Sequence, residues 1–272
     1  MIRPFSDLAL SQRLERAEGY ACAEFAMARR RLYPDSGADW MECAGAHVVF
    51  DGVDSPATQT FGLGIFEELS PETLDTVERF FCDRKAPVQH EVSPFAGPVA
   101  FDLLCRRNYR PMEISNVLFQ PILQRGSDAH DGIRVRIITP HEAQLWAEIN
   151  ARGWSYEHPE MGEVLLGFSA IVAARSHSVN FIAELDGVPG AVGSLSIHKG
   201  VALFSGSTTI PEMRRRGLQS ALLCERMRYA AEHGCDLASI VTMPGSNSQR
   251  NAERNGFFIA YTRMKWLLCS EA

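Results

Sequence analysis

No stretch of this 272-residue sequence carries the run of roughly 18 apolar residues that a membrane-spanning helix needs. The first fourteen residues, Met1 to Leu14, hold no apolar core of secretory length. A membrane partner is therefore not expected. Cysteine is present but unpatterned. The seven residues stand at 22, 43, 82, 105, 224, 235 and 269, an odd number with no CxxC pair and no His/Cys grouping at zinc spacing. This excludes a disulfide framework and gives no reason to expect a metal. Free thiols fit a reducing cytoplasm, which is the expected location. Positive charge is in deficit, with 27 Lys and Arg against 33 Asp and Glu. A general nucleic-acid binder usually shows a basic domain, so the balance argues against that class and leaves room for a local basic site. Two familiar phosphate signatures are missing: GxxxxGK[ST], and GxGxxG at a strand–helix junction. Gly62-Leu63-Gly64 falls inside a predicted strand and reads as strand packing.

What is present is an ordinary globular composition, 46% hydrophobic and 22% charged. At roughly 150 residues per domain, the length suggests two domains or one large one. The apolar residues Leu10, Leu14, Ala17, Ala21, Phe25, Ala28 and Leu32 recur at spacings of three and four, which predicts a helix over 10–32. Strands are expected at 44–50 and 58–66. Ser70-Pro71-Glu72-Thr73 opens a helix with Ser as cap and Pro at the first position. A strand at 88–92, a helix at 97–107 and a strand at 113–121 follow.

The polar stretch Gln124–Gly132 then separates two halves. The domain reading is 1–125, a linker at 126–132, and 133–272. The second half restarts with a strand at 133–138. The capping box Thr139-Pro140-His141-Glu142 comes next, then two helices and an antiparallel meander turning at Asp186-Gly187 and Lys199-Gly200. A long helix from Arg215 or Arg216, a strand at 237–242, a short helix at 247–255 and terminal strand structure at 257–268 complete it. The two halves share one order of elements, which suggests a duplication.

Chemistry concentrates in Thr208-Thr209-Ile210-Pro211-Glu212-Met213-Arg214-Arg215-Arg216-Gly217-Leu218-Gln219-Ser220. A strand ends, and a helix begins within three arginines and a glycine. The first turn of a helix offers unpaired N–H groups and a partial positive charge, which together bind phosphate oxygens. Arginines at that end are repelled by the dipole unless an anion compensates. Gly217 admits close approach of a bulky anion.

This stretch resembles the coenzyme motif of the GNAT superfamily of acyl-CoA N-acyltransferases, Arg/Gln-x-x-Gly-x-Gly/Ala after a strand ending in Val-x-Pro. Arg214 takes the first position and Gly217 the middle glycine. Gln219 stands where Gly or Ala is usual, and Thr209 replaces Val. Asn247 to Phe257 resembles the helix and Gly-Phe ending of the same superfamily. The resemblance implies a tandem α+β fold. Each repeat would be a mixed, mostly antiparallel sheet flanked by helices, and the first would be degenerate. It implies an N-acetyltransferase that uses acetyl-CoA as co-substrate and a small-molecule or peptide amine as acceptor. The alternative is a non-catalytic acyl-CoA sensor. Ser207, Thr208, Thr209, Arg214, Arg215, Arg216, Gly217, Leu218, Gln219, Ser220 and Asn251 would hold the coenzyme. The thioester would reach a gap between strands 201–209 and 237–242, with a backbone N–H near Thr208 steadying the oxyanion. The usual Tyr, four residues before the Gly of Gly-Phe, is Ala252 here. Ser248 is the candidate catalytic residue, either as general acid or as a helix cap, with Tyr261 nearby in sequence. Trp154, Tyr156 and His158 would either shape the acceptor pocket or cover core. The first half has Glu67-Glu68-Leu69-Ser70-Pro71-Glu72 at the corresponding turn, with carboxylates that would repel pyrophosphate.

Overall fold

The computed structural model describes residues 5–122, 132–155 and 162–269. Residues 126–131 of the expected linker, and Tyr156 and His158, lie outside the described residues. The chain forms two compact units. One comprises Met1–Gln120 with Ser239–Ala272, and the other Pro121–Ala238.

The first unit opens with helix α1, Leu8–Leu32. Its cap Asp7 accepts from the Leu10 N–H at 2.8 Å, and Arg29, Arg30 and Arg31 sit at the negative end of the dipole. The periodic residues from Leu10 to Ala28 are buried, while Leu32 is exposed. The sheet of this unit runs β1 (Asp39–Cys43), β2 (Ala46–Phe50), β3 (Gln59–Phe61), β4 (Gln89–Val92), β11 (Phe258–Leu268) and β5 (Tyr109–Pro121). The β3–β4 pair is parallel and the others are antiparallel. Helices α2 (Pro71–Cys82) and α3 (Gly97–Arg106) supply Leu74, Val77, Phe81 and Leu104 to a core that includes Val48, Tyr109 and Trp266.

Two local expectations differ from the structure here. The predicted strand at 58–66 shrinks to Gln59–Phe61, because Gly62 and Gly64 take φ of +76° and +77° and turn the chain out of the sheet. These glycines end a strand rather than pack within one. Strand β1 was not expected. Its residues pair with β2 across a turn at Ala44-Gly45 with φ of 48° and 75°, a tight hairpin without the usual Asn-Gly signal.

The larger difference concerns the division at 126–132. Residues 239–272, expected in the second domain, belong to the first compact unit. The reason is β11, which lies between β4 and β5 and pairs with both. A buried polar cluster holds it there. Arg263, only 2% exposed, donates to both oxygens of Glu15 at 3.0 Å and to Glu18 at 2.6 and 2.8 Å, and its Nε lies 3.1 Å from Glu91. Lys265 reaches Glu113 at 2.9 Å. Tyr261 and Arg263 share one face of the strand, and Glu15 and Glu18 share one face of α1, so the periods of strand and helix meet. A buried ion cluster is tolerated only when its members are multiply hydrogen-bonded, as Arg263 is. Burial pushes the Glu15 carboxyl up to about 7 against the opposing pull of Arg263.

The second unit carries an antiparallel meander ordered β9 (Val201–Thr209), β8 (Val188–His198), β7 (Ser178–Leu185) and β6 (Ile133–Ile137). The turns Asp186-Gly187 and Lys199-Gly200 have positive φ at both residues, as two-residue hairpins require. The capping box at Thr139 and Glu142 forms, and Arg136 grips the Glu142 carboxylate with both terminal nitrogens. Helices α4 (Ala143–Ser155) and α5 (Gly162–Ala173) follow, with Trp146 fully buried and donating to the Phe181 carbonyl at 3.1 Å. Helix α6 spans Leu218–Glu232. Strand β10, Leu237–Thr242, crosses the boundary between the units at Ala238–Ser239, and α7 (Asn247–Arg254) belongs to the first. The sequence order strand, strand, strand, helix, strand, helix, strand thus occurs twice, as β1 to β5 with α2 and α3, and as β7 to β11 with α6 and α7. The fold is α+β with mostly antiparallel sheet.

Candidate acyl-coenzyme site

After β9, the chain passes Ile210 and a single 3-10 turn at Pro211–Met213, then reverses into α6. Arg215 at φ +64° and Gly217 at φ +87° make the reversal, so the helix starts at Leu218 rather than at Arg215 or Arg216. Valine, isoleucine or threonine at 217 would be strained in that left-handed conformation.

None of the backbone N–H groups of Arg215 to Ser220 donates to another group among the described residues. Six consecutive donors thus stand at one helix start, together with the positive end of its dipole. The side chains of Arg215 and Arg216 are exposed beside them, and neither forms an ion pair among the described residues. No side chain among the described residues caps the helix. An anion is the natural occupant of such a nest.

Arg214 is engaged differently. Its guanidinium donates to the Thr209 carbonyl at 3.2 Å and to the Gly153 carbonyl at 3.0 Å, tying the turn to the end of β9 and to α4. Gln219, in place of the usual small residue, reaches back to Thr209 Oγ1 at 2.8 Å. Leu218 is buried and anchors the first turn, Thr208 and Thr209 are buried, and Ser207 and Ser220 are half-buried. The structure therefore brings Ser207 to Ser220 together as one strand–turn–helix element of the second unit. Ser248 and Asn251 stand on α7, in the first unit.

The cap of α7 is Ser246, whose hydroxyl accepts from the Gln249 N–H at 3.1 Å. Ser248, the second helical residue, is exposed, so its cap reading is corrected. Asn251 accepts from Asn255 through its carbonyl at 2.7 Å. Tyr261 is committed elsewhere: its hydroxyl donates to Glu15 at 2.9 Å, and burial raises its pKa well above the ordinary phenol value. Trp154 is 39% exposed near the end of α4.

Three side chains escaped the sequence reading. Strand β9 bulges where Gly206 and Ser207 together stand opposite Gly193 of β8. Asn150, on α4, donates to the Gly206 carbonyl at 2.8 Å, while its own oxygen accepts from Ser169 at 2.8 Å. From α6, Arg226 donates to the Ser194 carbonyl at 3.2 Å. A buried Asn on an amphipathic helix was the available signal for the first contact. Arg226 looked like one more charge on a helix.

The sequence model described as Acetyltransferase (GNAT) family matches residues 143–257. The match covers less than half of the chain, from α4 to the residues after α7. No curated protein sequence matches the chain. Among solved structures, a GCN5-related N-acetyltransferase from Kribbella flavida is similar at 18% identity, with 92% of this chain and 96% of that one covered at a TM-score of 0.64. A GCN5-related N-acetyltransferase from Sphaerobacter thermophilus gives 14% identity, 93% and 92% coverage and a TM-score of 0.54. A tandem GNAT protein from the clavulanic acid biosynthesis pathway gives 13%, 84% and 79%, and 0.57. At these identities the likeness is one of fold, and it extends over most of the chain. The α6 turn with its open N–H groups lies inside the GNAT match. The corresponding turn of the first unit is closed: Ser70 accepts from the Thr73 N–H at 3.2 Å, Pro71 removes a donor, and Glu72 sits in the first turn. Metal chemistry finds no cluster of His, Cys, Asp and Glu among the described residues. No helix among them is long and apolar enough to cross a membrane.

Proposed function

We propose that the protein is an acetyl-CoA-dependent N-acetyltransferase acting on a primary amine, with its one coenzyme site at the start of α6. The observation that carries this reading is the row of six unpaired N–H groups from Arg215 to Ser220. The pyrophosphate would lie on those donors with Arg215 and Arg216 alongside, and the pantetheine arm would run along Ser207–Thr209. A neutral amine attacks the thioester carbonyl. The C–N bond forms and the carbonyl π pair moves to oxygen, where a backbone N–H at the β9 bulge steadies it. Collapse breaks the C–S bond and expels the coenzyme thiolate, and the proton lost by the amine nitrogen ends on that thiolate, which gives the amide and the coenzyme thiol. The acceptor is a small-molecule or peptide amine. The acidic net charge of −6 favours approach of a cationic one.

A second reading, a non-catalytic acyl-CoA-binding module, is favoured by position 252. The residue there is a buried alanine where a proton donor is usual, and Tyr261 is occupied by Glu15. The role proposed for Ser248, protonation of the thiolate, rests on its sequence position before Gly256-Phe257. Ser248→Ala tests it by lowering turnover with coenzyme affinity kept. The reading as a whole is tested by calorimetry with CoA, followed by release of free coenzyme thiol from acetyl-CoA with a panel of polyamines, aminoglycosides, amino acids and peptides. Tight binding with no thiol release from any amine selects the second reading.

A further inference from the structure

Arg226 is one of the buried charged groups that acyl transfer as described leaves unused. Arg226 sits two turns into α6 and is 2% exposed. It forms no ion pair among the described residues. Its Nε donates to the Leu222 carbonyl and its Nη1 to the Ser194 carbonyl, both at 3.2 Å, and its Cζ lies 4.9 Å from the centre of the Phe204 ring. Burial pulls its pKa down to about 9, so it remains a cation at neutral pH.

Its place is specific. A Cβ on Gly193 would come within 3.0 Å of Arg226 Cζ and equally of Ser207 Oγ. A Cβ at 193 would push the guanidinium or the Ser207 hydroxyl aside by a few tenths of an ångström, so glycine leaves both in place against the residue that faces the Gly206–Ser207 bulge. Asn150 holds the bulge from the α4 side and Arg226 backs it from the α6 side. A buried cation without a counter-charge is costly, and an apolar side chain of similar volume would satisfy packing at lower cost. In a dry site, a fixed charge acts far more strongly than in water.

We propose that Arg226 is a positioning residue for acyl transfer. It would act as a fixed cation behind the β9 bulge that stabilises negative charge developing on the thioester oxygen and so strengthens the backbone donor there. It rests on the acyltransferase reading. Arg226 transfers no proton. In the addition step the amine lone pair becomes the C–N bond, and the carbonyl π pair moves to oxygen. The cation lowers the energy of that oxyanion through the bulge. It would offset in part the absence of a tyrosine acid at position 252.

The test reads carbonyl polarisation directly and needs no acceptor. Infrared difference spectra of acetyl-CoA labelled with carbon-13 at the thioester carbonyl are recorded on the full chain. Wild type, Arg226→Lys, which keeps the charge, and Arg226→Gln, which keeps a donor for Ser194 but not the charge, are compared, with CoA affinity measured by calorimetry. The expected result is a red-shifted carbonyl in wild type, a shift retained in the Lys variant, and loss of most of it in the Gln variant at unchanged CoA affinity. Should the Gln variant fail to fold, Arg226→Met supplies the neutral comparison, and loss of the shift there counts the same way. A neutral variant that keeps the full shift overturns the proposal, as does wild type that binds acetyl-CoA with an unshifted carbonyl. Wild type that binds no CoA overturns the acyltransferase reading itself and this inference with it.

Discussion

The hydroxyl of Tyr261 donates to a carboxylate oxygen of Glu15 at 2.9 Å, joining two residues 246 positions apart. Tyr261 is thereby a structural residue of the first unit and not a proton donor. Tyr261→Phe should cost about 1–3 kcal/mol of stability, the usual consequence of leaving a buried acceptor short of a donor. Urea unfolding measures the loss, and a thiol-release assay on the stable variant should match wild type. A large fall in turnover would restore Tyr261 as a candidate acid.

His90 supplies a pH signature. It is fully buried with its Nε2 3.0 Å from the Tyr109 hydroxyl, and burial holds its pKa down at about 3 against an ordinary 6.5. Between those values the unfolded chain binds a proton that the folded chain does not, so stability is full above 6.5 and falls on acidification below it. At about 1.4 kcal/mol per pH unit the loss reaches up to about 4 kcal/mol near pH 3. In His90→Leu this part of the acid limb should vanish. Identical slopes for the two proteins between pH 6 and pH 4, from equilibrium unfolding, would show that the imidazole is hydrated.

The α6 turn should bind one coenzyme per chain, because the turn before α2 is already capped by Ser70 and carries Glu72. Isothermal calorimetry with CoA should give a stoichiometry near one, whereas a value near two would reopen the first unit as a coenzyme domain.

Gly217→Val and Arg216→Glu should each abolish coenzyme binding, by separable routes. The valine is strained at φ +87°, and its Cβ would crowd Ile133 at 3.3 Å while blocking the donors. The glutamate adds repulsion on the order of 1–4 kcal/mol. The salt dependence of residual binding separates them: the valine variant keeps the wild-type slope at weaker affinity, and the glutamate variant loses most of it. Wild-type affinity in both would remove this turn as the pyrophosphate site.

Arg215 holds φ of +64° without being glycine, a conformation that costs on the order of 1 kcal/mol. Arg215→Gly should raise the melting temperature of the free protein and weaken CoA, since strain goes and a charge goes with it. A lower melting temperature together with tighter binding would mean that the side chain supports the turn.

The helix periodicity of α1, the Ser70-Pro71 and Thr139–Glu142 caps and both hairpin turns of the meander were legible because each is written in neighbouring residues. So was the phosphate-type turn, whose arginines and glycine lie within four positions. Three features were illegible, two of them because the partners lie far away in sequence. Nothing local in Tyr261, Arg263 and Lys265 says that their carboxylate partners lie on α1, β4 and β5, and so the domain boundary was placed by the polar stretch at 126–132. Arg226 reads as helix surface until Gly193 is seen beneath it. Gly62 and Gly64 read as strand because the residues around them are apolar.

The position of β11 bears on how the chain is made. Unit one is translated first, but the strand that lies between β4 and β5 emerges from the ribosome only after the whole of the second unit. Until then, β4 and β5 each carry an unpaired edge, and Glu15, Glu18 and Glu91 lack the arginine that neutralises them. The nascent first unit therefore waits open, with exposed strand edges that invite wrong pairing. The second unit, as far as Ala238, is thus complete before the strand that seals this slot is made.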